Sequence, residues 1–192
     1  MTTDPAQPQP STSRRPSNIV LIGLMGSGKT TVGKLVAHSL GFSFIDTDEI
    51  IVKNAGKPIP DIFAAEGETG FRQHETAALQ QLLNQLQQHA VIATGGGIVT
   101  RPENLPLLKQ LGYVVWLYAT PNTLHHRTAH SDDRPLLRNA DPAGTLRNLL
   151  EARADLYKLA SDLKITTDDL SAHDVAYGVS ESVRVEFAKQ SA

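Results

Sequence analysis

Short apolar runs alternate along this chain with stretches whose apolar residues recur at helical spacing. Ile19 to Ile22, Phe42 to Ile45, Val91 to Ala93, Val114 to Tyr118 and Leu163 to Thr166 read as five strands. Helical patterns fill the intervals, and that alternation predicts a parallel sheet wrapped by crossover helices, an α/β domain. Several helix ends are legible. Thr30 to Leu40 runs into Gly41, which ends a helix without a Cβ penalty. Thr120 before Pro121 and Asp141 before Pro142 have the form of an N-cap followed by proline at the first helical position. Ser171 followed by Asp174 opens the last helix. No internal repeat is visible, so the reading is one domain with its sheet in the middle.

Two helices carry charge where the pattern calls for core. From Asp141 to Ala160, at 100° per residue, Leu146, Leu149, Leu150, Tyr157 and Ala160 share a face, and Arg153 falls near its centre. An unpaired guanidinium there is costly, so an anion must meet it, either an internal acid or a bound ligand. The helix starting near Glu68 repeats the anomaly. Phe71, Ala78, Leu79, Leu82, Leu83 and Leu86 form its apolar stripe, with Arg72 and Glu75 inside it, three residues apart and able to touch. An internal Arg–Glu pair satisfies the pattern. So does an anionic ligand, since guanidinium forks match carboxylates bidentately.

Composition narrows the class. The 192 residues are 40% apolar, which suits one domain with a single core. A net charge of −2 and the lack of a basic patch disfavour nucleic acid as a partner. The chain has no cysteine, which excludes disulfides, thiolate metal sites and a cysteine nucleophile and fits a reducing cytoplasm. No apolar run approaches the roughly 18 residues of a membrane span. Residues 1–17 hold Pro5, Pro8, Pro10 and Pro16 among Ser, Thr and Gln, and read as a disordered tail preceding a domain over 18–192; a transit peptide with Arg14 and Arg15 is the weaker alternative, opposed by Asp4 and the prolines.

The sharpest chemical signal is Gly23-Leu24-Met25-Gly26-Ser27-Gly28-Lys29-Thr30, set between a strand and a helix in the spacing of a phosphate-binding P-loop. Glycines let the backbone turn tightly and aim successive N–H groups at phosphate oxygens, where the helix dipole adds positive potential. Lys29 can reach β- and γ-phosphates, and the Thr30 hydroxyl can ligate Mg²⁺, which prefers oxygen. Asp46 and Asp48 follow the second strand. In an open parallel sheet, ligands bind off the carboxyl ends of the strands, where the P-loop also lies. Asp46 could hold metal or its water shell, and Asp48 could accept the proton of an acceptor hydroxyl. Capping of the helical segment up to Asn54 is the structural alternative. Gly95, Gly96 and Gly97 end the third strand at this edge and allow close backbone approach to a ligand.

Taken together, these residues resemble the shikimate kinase family from Ile19 to about Phe187. The resemblance rests on Gly-Leu-Met-Gly-Ser-Gly-Lys-Thr-Thr-Val-Gly at 23–33, Asp46-Thr47-Asp48, and Ile62-Phe63 followed by Glu66-Gly67 and Phe71-Arg72. It continues through Thr94-Gly95-Gly96-Gly97, Arg134-Pro135-Leu136-Leu137 and Arg153-Ala154-Asp155-Leu156-Tyr157. It implies a fold like the nucleoside monophosphate kinases: three layers, a five-stranded parallel sheet in the order 2-3-1-4-5 with helices on both faces, and a mobile lid over about 125–138. The implied activity is ATP-dependent phosphorylation of the 3-hydroxyl of shikimate in the chorismate route to aromatic amino acids. The enzyme would be monomeric and cytoplasmic, with no nucleic-acid or membrane partner.

By the family pattern Asp48, Arg72, Gly95, Gly96, Gly97 and Arg153 grip shikimate, with both arginines on its carboxylate. Gly26, Ser27, Gly28, Lys29, Thr30, Thr31, Arg127 and Arg134 hold ATP. Arg127 lies along the adenine, residues near Asp169 to Ala172 flank its other side, and Arg134 reaches the phosphates when the lid closes. Thr30 and Asp46 hold Mg²⁺, Asp46 through water. Lys29, Asp48 and Arg134 are the catalytic set. The chain departs from the pattern at Gly70, where the family often has glutamate. It also departs at Asp169-Leu170-Ser171-Ala172-His173, where a proline is common, and it places Asp132 and Asp133 directly before Arg134. Competing readings are a gluconate-type kinase, a relative that binds nucleotide without catalysis, and a P-loop protein directed at nucleic acid.

Overall fold

A computed structural model describes residues 17–85, 88–129, 137 and 140–191. The tail expected over residues 1–17 lies outside the described residues up to position 16, and so does Arg134 with Asp132 and Asp133.

Strand β1 (Ile19–Ile22) is buried along its whole length because it is the centre of the sheet. It pairs in parallel with β3 (Ala90–Ala93) on one side and β4 (Tyr113–Tyr118) on the other. β2 (Ser43–Asp46) extends the sheet beyond β3 and β5 (Leu163–Thr166) beyond β4, giving the order β2-β3-β1-β4-β5 that the family resemblance implies.

Successive strand residues point to opposite faces, so one sheet feeds two cores. Ile19, Leu21, Val91 and Val115 pack with Val32 and Val36 of α1 (Lys29–Leu40) and Val179 and Val183 of α7 (Ala172–Ser191). On the other face Val20, Ile22, Ile92, Val114 and Trp116 pack with Leu79 of α3 (Ile59–Gln85), Leu108 of α4 (Asn104–Leu111) and Tyr157 of α6 (Pro142–Ala160). Removing a fully buried side chain such as Leu21 would cost about 2–5 kcal/mol. Asn18 ties the sheet's lower end together. Its amide donates to the Leu111 carbonyl (3.0 Å) and its side-chain oxygen accepts from the Ala90 N–H (3.0 Å).

The expected caps form. Thr120 accepts from the Thr123 N–H at the start of α5 (Pro121–Thr128), and Asp141 accepts from Gly144 at the start of α6. Ser171 and Asp174 bond reciprocally before α7. β2 begins one residue later than its apolar run predicts. The Phe42 N–H is spent on the Ala37 carbonyl in closing α1, so the ladder starts at Ser43 and runs to Asp46, opposite Ala93.

The carboxyl ends of the strands meet one crevice, and that edge gathers the candidate site residues. β1 leads into the glycine loop and α1. β2 delivers Asp46, which caps α2 (Thr47–Ala55) by accepting from the Asp48 N–H. β3 leads into Gly95–Gly97 and a short 3-10 turn (Ile98–Thr100). α3 is two helical runs meeting at Gly67 (φ 69°, ψ −174°), a backbone region that L residues avoid. Among the described residues no helix is long and apolar enough to cross a membrane.

Candidate active site

A cavity of about 380 Å³ opens at this edge, lined by the glycine loop, the start of α1, Asp46, Asp48, Thr94, Gly95, Gly96 and Arg127. Its base is built for anions. Gly28 precedes α1 without any side-chain cap, so the first-turn amides have no competing acceptor from the cap residue. Lys29 Nζ folds across the loop and donates to the carbonyls of Gly23 (2.8 Å) and Leu24 (3.0 Å). Ser27 is fully buried and Lys29 Nζ lies 3.5 Å from its hydroxyl, so Ser27 supports the loop from behind.

Asp46 makes the helix cap and still keeps an oxygen at the cavity wall. One oxygen caps α2, and the other accepts the Thr30 hydroxyl at 3.0 Å. That leaves a hydroxyl and a carboxylate side by side at the cavity wall, a hard-oxygen pair of the kind Mg²⁺ takes when substrate phosphates and water supply the remaining ligands. Among the described residues no group of three or more His, Asp or Glu side chains could hold a metal alone. Asp48, in the first turn of α2, lies between this cavity and a second cleft of about 370 Å³ lined also by Val52, Lys53 and Ile59.

The three glycines each make room for something different. A Cβ on Gly95 would meet Glu75 Oε1 at 2.3 Å and Asp48 Oδ1 at 3.3 Å; on Gly96 it would meet the Met25 backbone nitrogen at 3.1 Å. On Gly97 it would stand 2.0 Å from the Arg72 guanidinium. The strand end therefore packs an acid, the P-loop and a cation against bare backbone.

Both inward arginines are where periodicity put them. Arg72 is 7% exposed and Arg153 is 6% exposed. They line neither cavity; they sit behind the glycine loop. Arg72 donates to Glu75 (2.8 Å) and Glu68 (2.6 Å), so the internal ion pair foreseen as an alternative is formed. Arg153 instead donates to the Gly96 carbonyl (3.2 Å), and the Glu68 carboxylate lies 3.9 Å from it. Tyr157, one turn along α6, donates its hydroxyl to the same carbonyl. Burial pushes the Glu75 carboxyl up to about 7 against the pull of Arg72, and nearby Asp48 adds to the rise. Its Oε1 finds no partner among the described residues. Burial works against Arg72's charge, yet Glu75 and Glu68 together raise its pKa.

Arg127 lines the cavity with its guanidinium fixed by the Thr167 hydroxyl (2.9 Å) and carbonyl (2.7 Å) beyond β5. Residues 169–172 are not among the lining residues; Ser171 and Asp174 are engaged in capping α7. Glu68, Tyr157, Thr94 and Thr167 have no site role in the sequence reading, although Thr94 and Tyr157 stand in its motifs. Glu68 had an available signal, its position four residues before Arg72 on one helix face. The others act through contacts across 40 or more positions, which no local spacing encodes.

The family model for shikimate kinase matches residues 25–184. A shikimate kinase from Marinomonas sp. (strain MWYL1) is 45% identical over 167 residues, covering 87% of this chain and 92% of its own. One from Symbiobacterium thermophilum is 47% identical over 169 residues, covering 87% and 96%. The solved structure of shikimate kinase from Acinetobacter baumannii in complex with shikimate superposes with a TM-score of 0.84 at 41% identity, covering 90% of this chain and 94% of that one.

Proposed function

The chain belongs to the shikimate kinase family, and on that premise we propose how its residues transfer the γ-phosphoryl group of ATP to the 3-hydroxyl of shikimate, giving shikimate 3-phosphate and ADP. The observation that carries this is the convergence on one sheet edge of a P-loop, Asp48 and a glycine loop backed by two buried arginines. The gluconate-type, non-catalytic and nucleic-acid readings have no comparable support.

ATP lays its phosphates over Gly26, Ser27 and Gly28 and the first turn of α1, with Thr31 at the cavity wall. Lys29 exchanges its two loop carbonyls for phosphate oxygens, and Arg134 joins it from the lid. Arg127, held flat by Thr167, offers its face to the adenine. Thr30 and Asp46 would hold Mg²⁺, which would supply charge neutralisation to the phosphates.

Shikimate's carboxylate is taken by Arg72 and Arg153, and backbone at Gly95, Gly96 and Gly97 closes on its ring. That anchoring brings the 3-hydroxyl to Asp48. As the bond between γ-phosphorus and its bridging oxygen breaks, the 3-hydroxyl oxygen bonds to phosphorus and its proton passes to the Asp48 carboxylate. Little covalent work falls to the protein; placement and charge stabilisation carry the rate. Asp48 suits the role because its backbone N–H is fixed by Asp46, which orients the helix end presenting it.

The test is a coupled assay of ADP release with shikimate, with gluconate and with no acceptor. Release that depends on shikimate is expected, and release indifferent to it would remove the assignment.

A further inference from the structure

A carboxylate already stands between the two buried arginines. Glu68 Oε1 lies 2.6 Å from Arg72 Nη2 and 3.9 Å from Arg153 Nη2. Arg72 therefore has two acids, and their surroundings differ sharply. Glu75 is 0% exposed and could leave only into the protein interior. The Glu68 side chain is 49% exposed and can turn to water at little cost.

That motion asks nothing of the backbone. Glu68 directly follows the Gly67 break, where a Cβ would meet nothing within 4 Å. The break itself is pinned: Glu66 bonds Lys57 Nζ (2.8 Å) on one side and His74 Nε2 (2.8 Å) on the other. With the flanking backbone tied, a rotation of the Glu68 side chain suffices and the helix need not shift.

Charge then decides what a ligand must do. The two guanidinium groups already face Glu68 and Glu75, with Asp48 beside them, so even with Glu75 protonated a ligand carboxylate would set three negative charges against two positive ones in a poorly hydrated place. Of the two acids that bond Arg72, only Glu68 has water to go to. We infer that Glu68 is a displaceable internal anion that holds the position of the substrate's carboxylate and leaves it when shikimate binds. The inference rests on the reading of Arg72 and Arg153 as the carboxylate grip. It makes Glu68 a specificity-determining residue. A simple carboxylate gains too little by replacing one like itself, whereas a ligand that also hydrogen-bonds Asp48 and the glycine loop gains enough.

Calorimetric titration of shikimate and of cyclohexanecarboxylate, a ring acid without hydroxyls, tests this on the wild type and on Glu68→Gln. Loss of the competing charge should tighten both ligands by roughly two- to fivefold, the range set by a half-exposed ion pair, and leave ATP affinity unmoved. Glu68→Asp, which keeps the charge, should stay closer to the wild type. Glu68→Ala provides a second neutral variant and should tighten both ligands in the same direction. Shikimate that binds the wild type normally but binds Glu68→Gln equally or more weakly overturns the inference alone, because Glu68 would then be orienting Arg72 in the complex. A wild type that binds no shikimate overturns the substrate reading with it.

Discussion

Gly97 lies so close against the Arg72 guanidinium that a methyl group on it would stand 2.0 Å from Cζ. The φ of Gly97 is −99°, open to any residue, so what reserves this position for glycine is space and not backbone geometry. Gly97→Ala should therefore dislodge the arginine without straining the loop. Losing one charge-assisted contact raises KM for shikimate about 10- to 100-fold and leaves KM for ATP near its starting value. Steady-state kinetics with each substrate varied in turn checks the split. Equal effects on both substrates would mean that the loop has collapsed.

Asp48→Asn keeps the shape of the proposed proton acceptor and removes its basicity. Turnover should fall by about two orders of magnitude or more, with shikimate binding weakened far less. The pair of measurements is kcat and a shikimate titration. Near-normal kcat would take Asp48 out of the chemistry.

Asp46 caps α2 through one oxygen and accepts the Thr30 hydroxyl through the other, so two substitutions separate the cap from the proposed Mg²⁺ role. Asp46→Asn retains an oxygen for the α2 cap and should mainly raise the Mg²⁺ concentration needed for half-maximal rate. Asp46→Ala loses the cap as well, at a cost of about 1 kcal/mol in stability. Thermal melting beside a Mg²⁺ titration distinguishes them, and identical Mg²⁺ requirements in all three proteins would remove Asp46 from the metal site.

Glu75 makes stability depend on pH in an unusual direction for a carboxylate. Its folded pKa of about 7 lies above the ordinary 4.5, so the folded state holds the extra proton. Its favourable contribution is full below about pH 4.5 and is lost as pH rises through 7. The stability margin of the wild type over Glu75→Gln should accordingly narrow across that window and level off above it. Denaturant melts at several pH values read this directly. A margin that widens with pH would show that Arg72 outweighs burial and holds the carboxyl low.

Most of the framework was legible because it follows from local rules. β1 and β5 fall where the apolar runs put them, and Arg153 is buried on α6 beside Leu146, Leu150 and Tyr157 as its helical spacing requires. β2 was displaced by one residue because the closing turn of α1 claims the Phe42 N–H, a contest between two elements that the apolar run cannot register. At the site, sequence spacing identified the pairing of Arg72 with Glu75 but not which partner can leave. That distinction depends on exposure, and exposure depends on how α3 lies against the sheet. Tyr157 reads as one more apolar stripe residue, yet its hydroxyl reaches the Gly96 carbonyl across the sheet edge.

On the proposed function, Arg153 and Arg72 hold the acceptor's carboxylate while ATP binds independently on the P-loop. Calorimetric titration of Arg153→Met with shikimate and, separately, with ATP tests it most directly. Removing one partner of a buried charge contact predicts shikimate affinity weaker by about 30-fold or more, with ATP binding preserved. Unchanged shikimate affinity in a variant that still binds ATP would contradict the account.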